Sequence, residues 1–120
     1  MPTIAIVNRS SVMTDAEVDA ITVALHTQVK EHFVPIWGAD ANLIFVDKQQ
    51  APPKEAWWLM VLDNSDQAGV LGYHDITPQA LPLGKAFVQT TKEIGHFPSV
   101  TLSHELLEML VTDGKWPKST

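Results

Sequence analysis

The chain of 120 residues has no cysteine, and this absence removes two common kinds of structure. Without thiols the protein can form neither a disulfide framework nor a thiolate metal site, while the redox compartment is left open. Any metal ion that it binds must therefore be held by histidine, aspartate, glutamate and water.

Basic residues are also few, since 8 lysines and arginines stand against 14 aspartates and glutamates and give a net charge of -6. Nucleic-acid-binding proteins need a basic patch, and anionic membranes attract clustered basic residues. We therefore expect neither nucleic acid nor a membrane as a partner. The charge is compatible with holding cations and leaves a peptide or protein substrate open.

Long apolar runs are missing as well. No run approaches the roughly 20 apolar residues that a membrane-spanning helix needs. Residues 1–7 have neither the basic start nor the long apolar core of a signal peptide, and they are typical of a first β-strand. From these absences we expect a cytoplasmic or virion-associated protein without a signal peptide or transmembrane segment.

The chain nevertheless has enough apolar material for a core, because 45% of its residues are hydrophobic. That content and the length predict a single globular domain over residues 1–120. Strand and helix patterns alternate in the order β-α-β-β-β-β-α. This order predicts an α/β (α+β) fold, in which a mixed four- to five-stranded sheet packs against two main helices.

The elements follow from local patterns. The predicted strands are residues 3–7, 43–46, 57–62, 70–76 and 85–90. A capping box at residues 14–17 predicts the start of a helix that runs to residue 33, with Pro35 and Gly38 closing it. Residues 57–62 are apolar without a break, as in a strand buried on both faces. Residues 70–76 carry glycine and charge, which indicates an edge strand.

The most informative stretch is the apolar run at residues 100–110, for which Ser99 is the predicted N-cap. His104 and Glu108 are four residues apart, so on a helix they lie on one face, a turn from each other, and can reach one metal ion. Glu105 is turned from His104 by roughly 100°. It therefore stands beside the metal position, where a general base for an attacking water belongs.

A helical projection places the polar residues of this run in one narrow stripe. The stripe contains Thr101, His104, Glu105, Glu108 and Thr112. The remaining positions are apolar, so the helix is expected to be largely buried. The stripe is then expected to face water, a cleft or a bound ion.

The sequence His104-Glu105-Leu106-Leu107-Glu108 resembles the H-E-x-x-H active-site helix of the zincin metallopeptidases, with glutamate in place of the second histidine. A carboxylate can ligate zinc, but it adds negative charge and lets other divalent ions compete. The resemblance implies one zincin-like domain with the architecture of the zincin N-terminal lobe. It also implies a divalent metal cofactor, with zinc ahead of other ions.

The resemblance extends to residues outside the helix. In one branch of the zincins a third ligand follows the first histidine by about ten residues, and Asp113 follows His104 at nearly that distance, although Gly114 comes after the aspartate instead of before it. A zincin edge strand pairs with extended substrate, which implies substrate-binding roles for Tyr73 and His74. His96 is either a further ligand or an ordinary loop histidine.

Two classes of function stay open. The first is a minimal zincin-like metal-dependent hydrolase, foremost a peptidase, with Glu105 as the catalytic base and His104, Glu108 and Asp113 as metal ligands. The second is a non-catalytic structural or interaction module, for example of a phage particle or a bacterial assembly, that retains a degenerate metallopeptidase fold. The intact base position favours the first, while the replaced histidine and the small size favour the second. A charged helix face that is merely solvated is the plainest explanation of all.

Overall fold

The structure is a computed structural model that describes residues 1–38, 40–64 and 72–111, with the backbone alone at residues 72–74. In chain order its elements are β1 (Thr3–Asn8), α1 (Asp15–Gln28), a π-helical turn (Val29–Phe33), α2 (Val34–Trp37), β2 (Asn42–Val46), β3 (Trp57–Leu62), β4 (Gly72–Ile76), β5 (Pro82–Phe87), α3 (Val88–Glu93) and α4 (Pro98–Met109). Within these described residues, no helix has the length and apolar character needed to cross a membrane.

The strands form one five-stranded sheet in the order β2-β1-β3-β5-β4. The first four of these strands are parallel to one another, and β4 is antiparallel to β5. The predicted α/β fold with a mixed sheet is therefore confirmed. Strand β4 lies at one edge, as its glycine and charged residue indicated.

The core lies between one face of the sheet and the two longest helices. Its fully buried side chains include Ile4, Ile6, Val18, Val29, Leu59, Val61, Leu102, Leu106, Met109 and Leu110. The opposite face has a smaller cluster formed by Ala5, Val7, Val46 and Ala56. On that face Trp58 and Met60 of β3 are only half-buried. The prediction that β3 is buried on both faces is thus wrong for one face, because the described helices α1 and α4 pack on the other.

Helix α1 begins with the predicted capping box. The backbone N–H of Glu17 donates to the Thr14 hydroxyl oxygen at 3.1 Å, and the N–H of Thr14 donates to the Glu17 carboxylate at 2.9 Å. Proline has no N–H to continue an α-helix and its ring crowds the preceding turn. The chain responds by widening into the π-helical turn and resuming as α2, which has Pro35 in its first turn. Pro35 therefore does not end the helix, whereas Gly38 does so with φ 73°.

Residues 85–90 are not a strand throughout, and that prediction is wrong beyond residue 87. The chain turns into α3 because the Asp63 carbonyl oxygen accepts hydrogen bonds from the N–H groups of Gln89 and Thr90 at 2.8 and 3.2 Å. Free N–H groups at a helix start need such an acceptor. The alternation of residues 85–90 carries no information about this carbonyl, which comes from a distant part of the sequence.

Helix α4 begins two residues earlier than predicted. Pro98 is its first residue and Phe97 is its N-cap, with no side-chain cap, so the assignment of Ser99 as N-cap is wrong. The first N–H of a helix has no partner within the helix, and proline at that position loses nothing by lacking it. Pro98 therefore determines where the helix begins, and Ser99 lies inside its first turn.

Gly84 of β5 lets α4 approach the sheet closely. A Cβ atom at this position would lie 2.8 Å from Sδ of Met109 and 3.2 Å from Cδ1 of Leu59. The missing side chain thus makes room for Met109, which is fully buried.

Substituting Gly84 tests the close contact between α4 and the sheet. We expect Gly84→Ala to lower the free energy of unfolding by about 1 to 3 kcal/mol, because the added methyl group overpacks the interface. Urea denaturation measures the loss. In the double variant Gly84→Ala/Met109→Ala the loss should be smaller than the sum of the two single losses, since the new methyl group fills part of the space that methionine vacates. If the loss in the double variant equals the sum of the two single losses, the contact between residue 84 and Met109 is contradicted.

Asp63, directly after β3, ties down the loop that follows β1. Its carboxylate accepts hydrogen bonds from the hydroxyls of Ser10 and Ser11, both at 2.6 Å, and from the backbone N–H of Ser11 at 2.9 Å. Burial opposes ionisation of this carboxyl. The hydrogen bonds from Ser10, Ser11 and the backbone of Val12 outweigh burial and hold the pKa of Asp63 below its ordinary value of 3.8.

This lowered pKa predicts the direction of an acid effect on stability. A carboxyl whose pKa is lower in the folded state stabilises the fold above its ordinary pKa and loses that contribution as pH falls through the folded pKa. At pH 7 Asp63→Asn should lower the free energy of unfolding by about 1 to 3 kcal/mol. The gap between wild type and variant should close below about pH 4, as measured by urea denaturation at several pH values. Asp19→Asn, an exposed position on α1, is the control, and a gap that does not depend on pH would contradict the assignment.

Candidate metal centre

The packing of α4 decides which of its residues face outward. Leu102, Leu106 and Met109 are fully buried against the sheet. His104 and Glu108 lie on the opposite side of the helix, with side chains 68% and 49% exposed. The two predicted metal ligands therefore project together from the surface of the helical layer.

The predicted polar stripe is divided between the interior and the surface. Thr101 and Glu105 are both only 6% exposed. The expectation that the whole stripe faces water, a cleft or an ion is wrong for Thr101, which is turned into the protein. The Thr101 hydroxyl oxygen lies 3.1 Å from that of Thr91 on α3, which satisfies it inside the protein. Val100, counted with the buried positions, is 57% exposed. Thr112 lies outside the described residues.

His104 and Glu108 are already in direct contact. Nε2 of His104 is 2.8 Å from Oε2 of Glu108, which is a hydrogen-bonding distance. A tetrahedral zinc ion with ligands at 2.0 to 2.2 Å holds neighbouring ligand atoms about 3.3 Å apart. The pair would therefore open by only about half an ångström to admit a metal ion between its two atoms. The donor set fits a divalent cation.

Glu105 completes a compact group of three. Potential ligand atoms of His104, Glu105 and Glu108 all lie within 4.8 Å of one another, one on a buried side chain and two on exposed ones. A separation of up to 4.8 Å is longer than the spacing of ligand atoms that all bind one zinc ion directly. It suits a carboxylate that reaches the ion through a water molecule, which is the position of a general base. Two carboxylates in so small a volume of a chain with net charge -6 also favour a cation on electrostatic grounds.

The other predicted site residues are not brought into this group. Asp113 lies outside the described residues, as does the predicted C-terminal cap Gly114. Strand β4 pairs Tyr73 with Lys85 and His74 with Gly84, so His74 stands beside the glycine on which α4 rests, but the side chains of both lie outside the description. His96 is exposed in the turn before α4 and does not belong to the group of three.

Aromatic residues from the end of the first helical segment approach the same place, and sequence reasoning did not connect them with it. Phe33 and Trp37 line a shallow pocket of about 290 Å³ together with His104 and Glu108. Their spacing of four residues predicts that they share a helix face. Their approach to α4 depends on tertiary packing, which no local pattern reveals.

Comparison of the chain with protein-family models, with curated proteins and with solved structures finds no match.

The exposure of the His104–Glu108 pair predicts how little it contributes to the metal-free fold. We expect His104→Ala and Glu108→Ala each to change the free energy of unfolding by less than about 1 kcal/mol in chelator-treated protein, because water screens exposed ion pairs. Urea denaturation at pH 7 measures the change. A loss above about 2 kcal/mol would assign the pair to structural support instead of ligand binding.

Proposed function

We propose that this protein is a minimal zincin-like metal-dependent hydrolase, foremost a peptidase, with its metal held by His104 and Glu108. The observation that carries the proposal is the approach of His104, Glu105 and Glu108 to within 4.8 Å of one another on a single helix. Support also comes from the fold, since α4 follows the strands and contacts both β5 and the antiparallel edge strand β4. That order agrees with the resemblance in the motif.

The roles of the residues follow from their placement. A bound divalent ion supplies acidification of a water molecule and polarisation of the substrate carbonyl. His104 and Glu108 hold the ion, and Asp113 is the proposed third ligand. Glu105 is fixed by burial at the margin of the site. Its carboxylate takes a proton from the water molecule while the water oxygen bonds to the carbonyl carbon of the substrate. Glu105 then passes that proton to the amine as the C–N bond breaks.

The ligand set also bears on the choice of metal. One imidazole and one or two carboxylates form a harder donor set than two histidines, which weakens the preference for zinc over manganese or calcium. We propose zinc as the first metal to test, with manganese as its competitor.

Metal binding is the first test of the proposal. Zinc added to chelator-treated wild type should bind at one ion per chain and raise the free energy of unfolding, by about 2.7 kcal/mol when free zinc is at a hundred times the Kd. Elemental analysis after dialysis and calorimetric melting measure the two effects. His104→Ala should show neither, while His96→Ala should behave as wild type. Absence of bound metal and of any stabilisation in wild type would remove the metal centre.

Catalysis is tested separately from binding. Glu105→Gln should retain the metal and lower cleavage of a broad peptide library by roughly a hundredfold or more, because a general base contributes at least that factor. Glu55→Gln, at an exposed loop position, is the matched control. Equal cleavage by wild type and Glu105→Gln would contradict the role of Glu105.

A second candidate function is a non-catalytic module in which the same pair binds an ion for stability or makes a polar contact with another protein. The exposure of His104 and Glu108, at 68% and 49%, favours this candidate, because a site open to solvent is accessible to a partner surface. Metal binding without cleavage of any peptide in the library would decide for it.

A further inference from the structure

We infer that the pocket between α4 and the aromatic end of the first helical segment binds a large apolar side chain of the substrate, next to the bond that is cut. This inference rests on the proposed hydrolase function and names a substrate class for it: peptides with a large apolar residue beside the scissile bond.

The pocket adjoins the metal centre directly. It has a volume of about 290 Å³ and is lined by Phe33, Trp37, His104, Leu107, Glu108 and Val111. The two proposed metal ligands form its polar wall, and the other four residues are apolar. A group bound in this pocket therefore lies beside the position between His104 Nε2 and Glu108 Oε2.

The aromatic wall is held in place by its own packing. Phe33, the last residue of the π-helical turn, is 6% exposed and anchored in the core. Trp37 stacks on it with ring centroids 6.1 Å apart and an interplanar angle of 25°. Trp37 is also 46% exposed, so an apolar face of the wall remains accessible to a ligand.

The dimensions and chemistry of the pocket favour one apolar side chain as the occupant. The volume lies just below the range of about 300 to 1,000 Å³ that is usual for whole small-molecule ligands, which suits a single large side chain. A charged side chain would lose water against the four apolar residues of the pocket. An acidic one would also meet the like charge of Glu108.

A second groove indicates that the rest of the ligand is extended. It lies between α1 and α4, has a volume of about 540 Å³ and shares His104 and Leu107 with the aromatic pocket. The two depressions therefore adjoin each other on either side of His104. A peptide continues on both sides of its scissile bond, so it can use both depressions, whereas a compact metabolite fills only one.

Amino-acid hydroxamates test the pocket without requiring turnover. Their two oxygen atoms chelate a metal ion, so the side chain is presented beside the site. Zinc-loaded wild type should bind phenylalanine hydroxamate at least roughly tenfold more tightly than glycine hydroxamate, as expected for burial of much of an aromatic side chain. Isothermal titration calorimetry measures both affinities, with zinc content checked before and after each titration.

Neighbouring residues supply matched variants. Trp37→Ala should bind zinc as wild type does but reduce the preference for the phenylalanine compound to less than about threefold. Ile36→Ala, whose side chain is 77% exposed and does not line the pocket, should retain the full preference. Equal affinities in zinc-loaded wild type, or a preference that survives Trp37→Ala, would overturn the inference and leave the metal centre standing. Failure of wild type to bind zinc at all would remove the proposed function, and this inference with it.

Discussion

The close contact between α4 and Gly84 is the constraint on which the candidate site depends. Met109 lies against the bare Cα of this glycine, so the helix cannot rotate about its axis without lifting that side chain from the sheet. With Met109 facing inward, the helical period sends His104 and Glu108 to the far side and leaves Glu105 at the boundary. The orientation of the three ionisable side chains on α4 thus follows from the absence of a side chain at Gly84 of the sheet.

The parts of this structure that could be predicted from sequence are those set by local chemistry. The capping box at Thr14 and Glu17 operates within four residues, and it appears as expected. The contact between His104 and Glu108 is a property of helical spacing and does not depend on the fold around it. The mixed sheet follows from the order of elements, and the edge position of β4 agrees with its unusual composition.

The predictions that are wrong concern contacts between distant segments. Residues 88–90 continue a strand-like alternation, but the carbonyl of Asp63, just after β3, supplies the acceptor that starts a helix there. A helical projection shows on which side of the helix Thr101 lies, but not which residue it will contact there. The hydroxyl of Thr91 forms a hydrogen bond with the Thr101 hydroxyl, which allows Thr101 to be buried. In each case a polar group is satisfied by a partner far away in sequence, and composition alone does not supply that partner.

Asp63 makes two kinds of attachment, and they differ in their response to acid. Its side chain secures the serine loop after β1 through bonds that need a charged carboxylate, whereas its main-chain oxygen caps α3 through bonds that carry no titratable proton. Protonation therefore releases one attachment and spares the other. Acid strong enough to reach the lowered pKa of Asp63 therefore loosens the entry to α1, while the segment leading to α4 keeps its main-chain anchor. The two ends of the helical layer thus respond differently to strong acid.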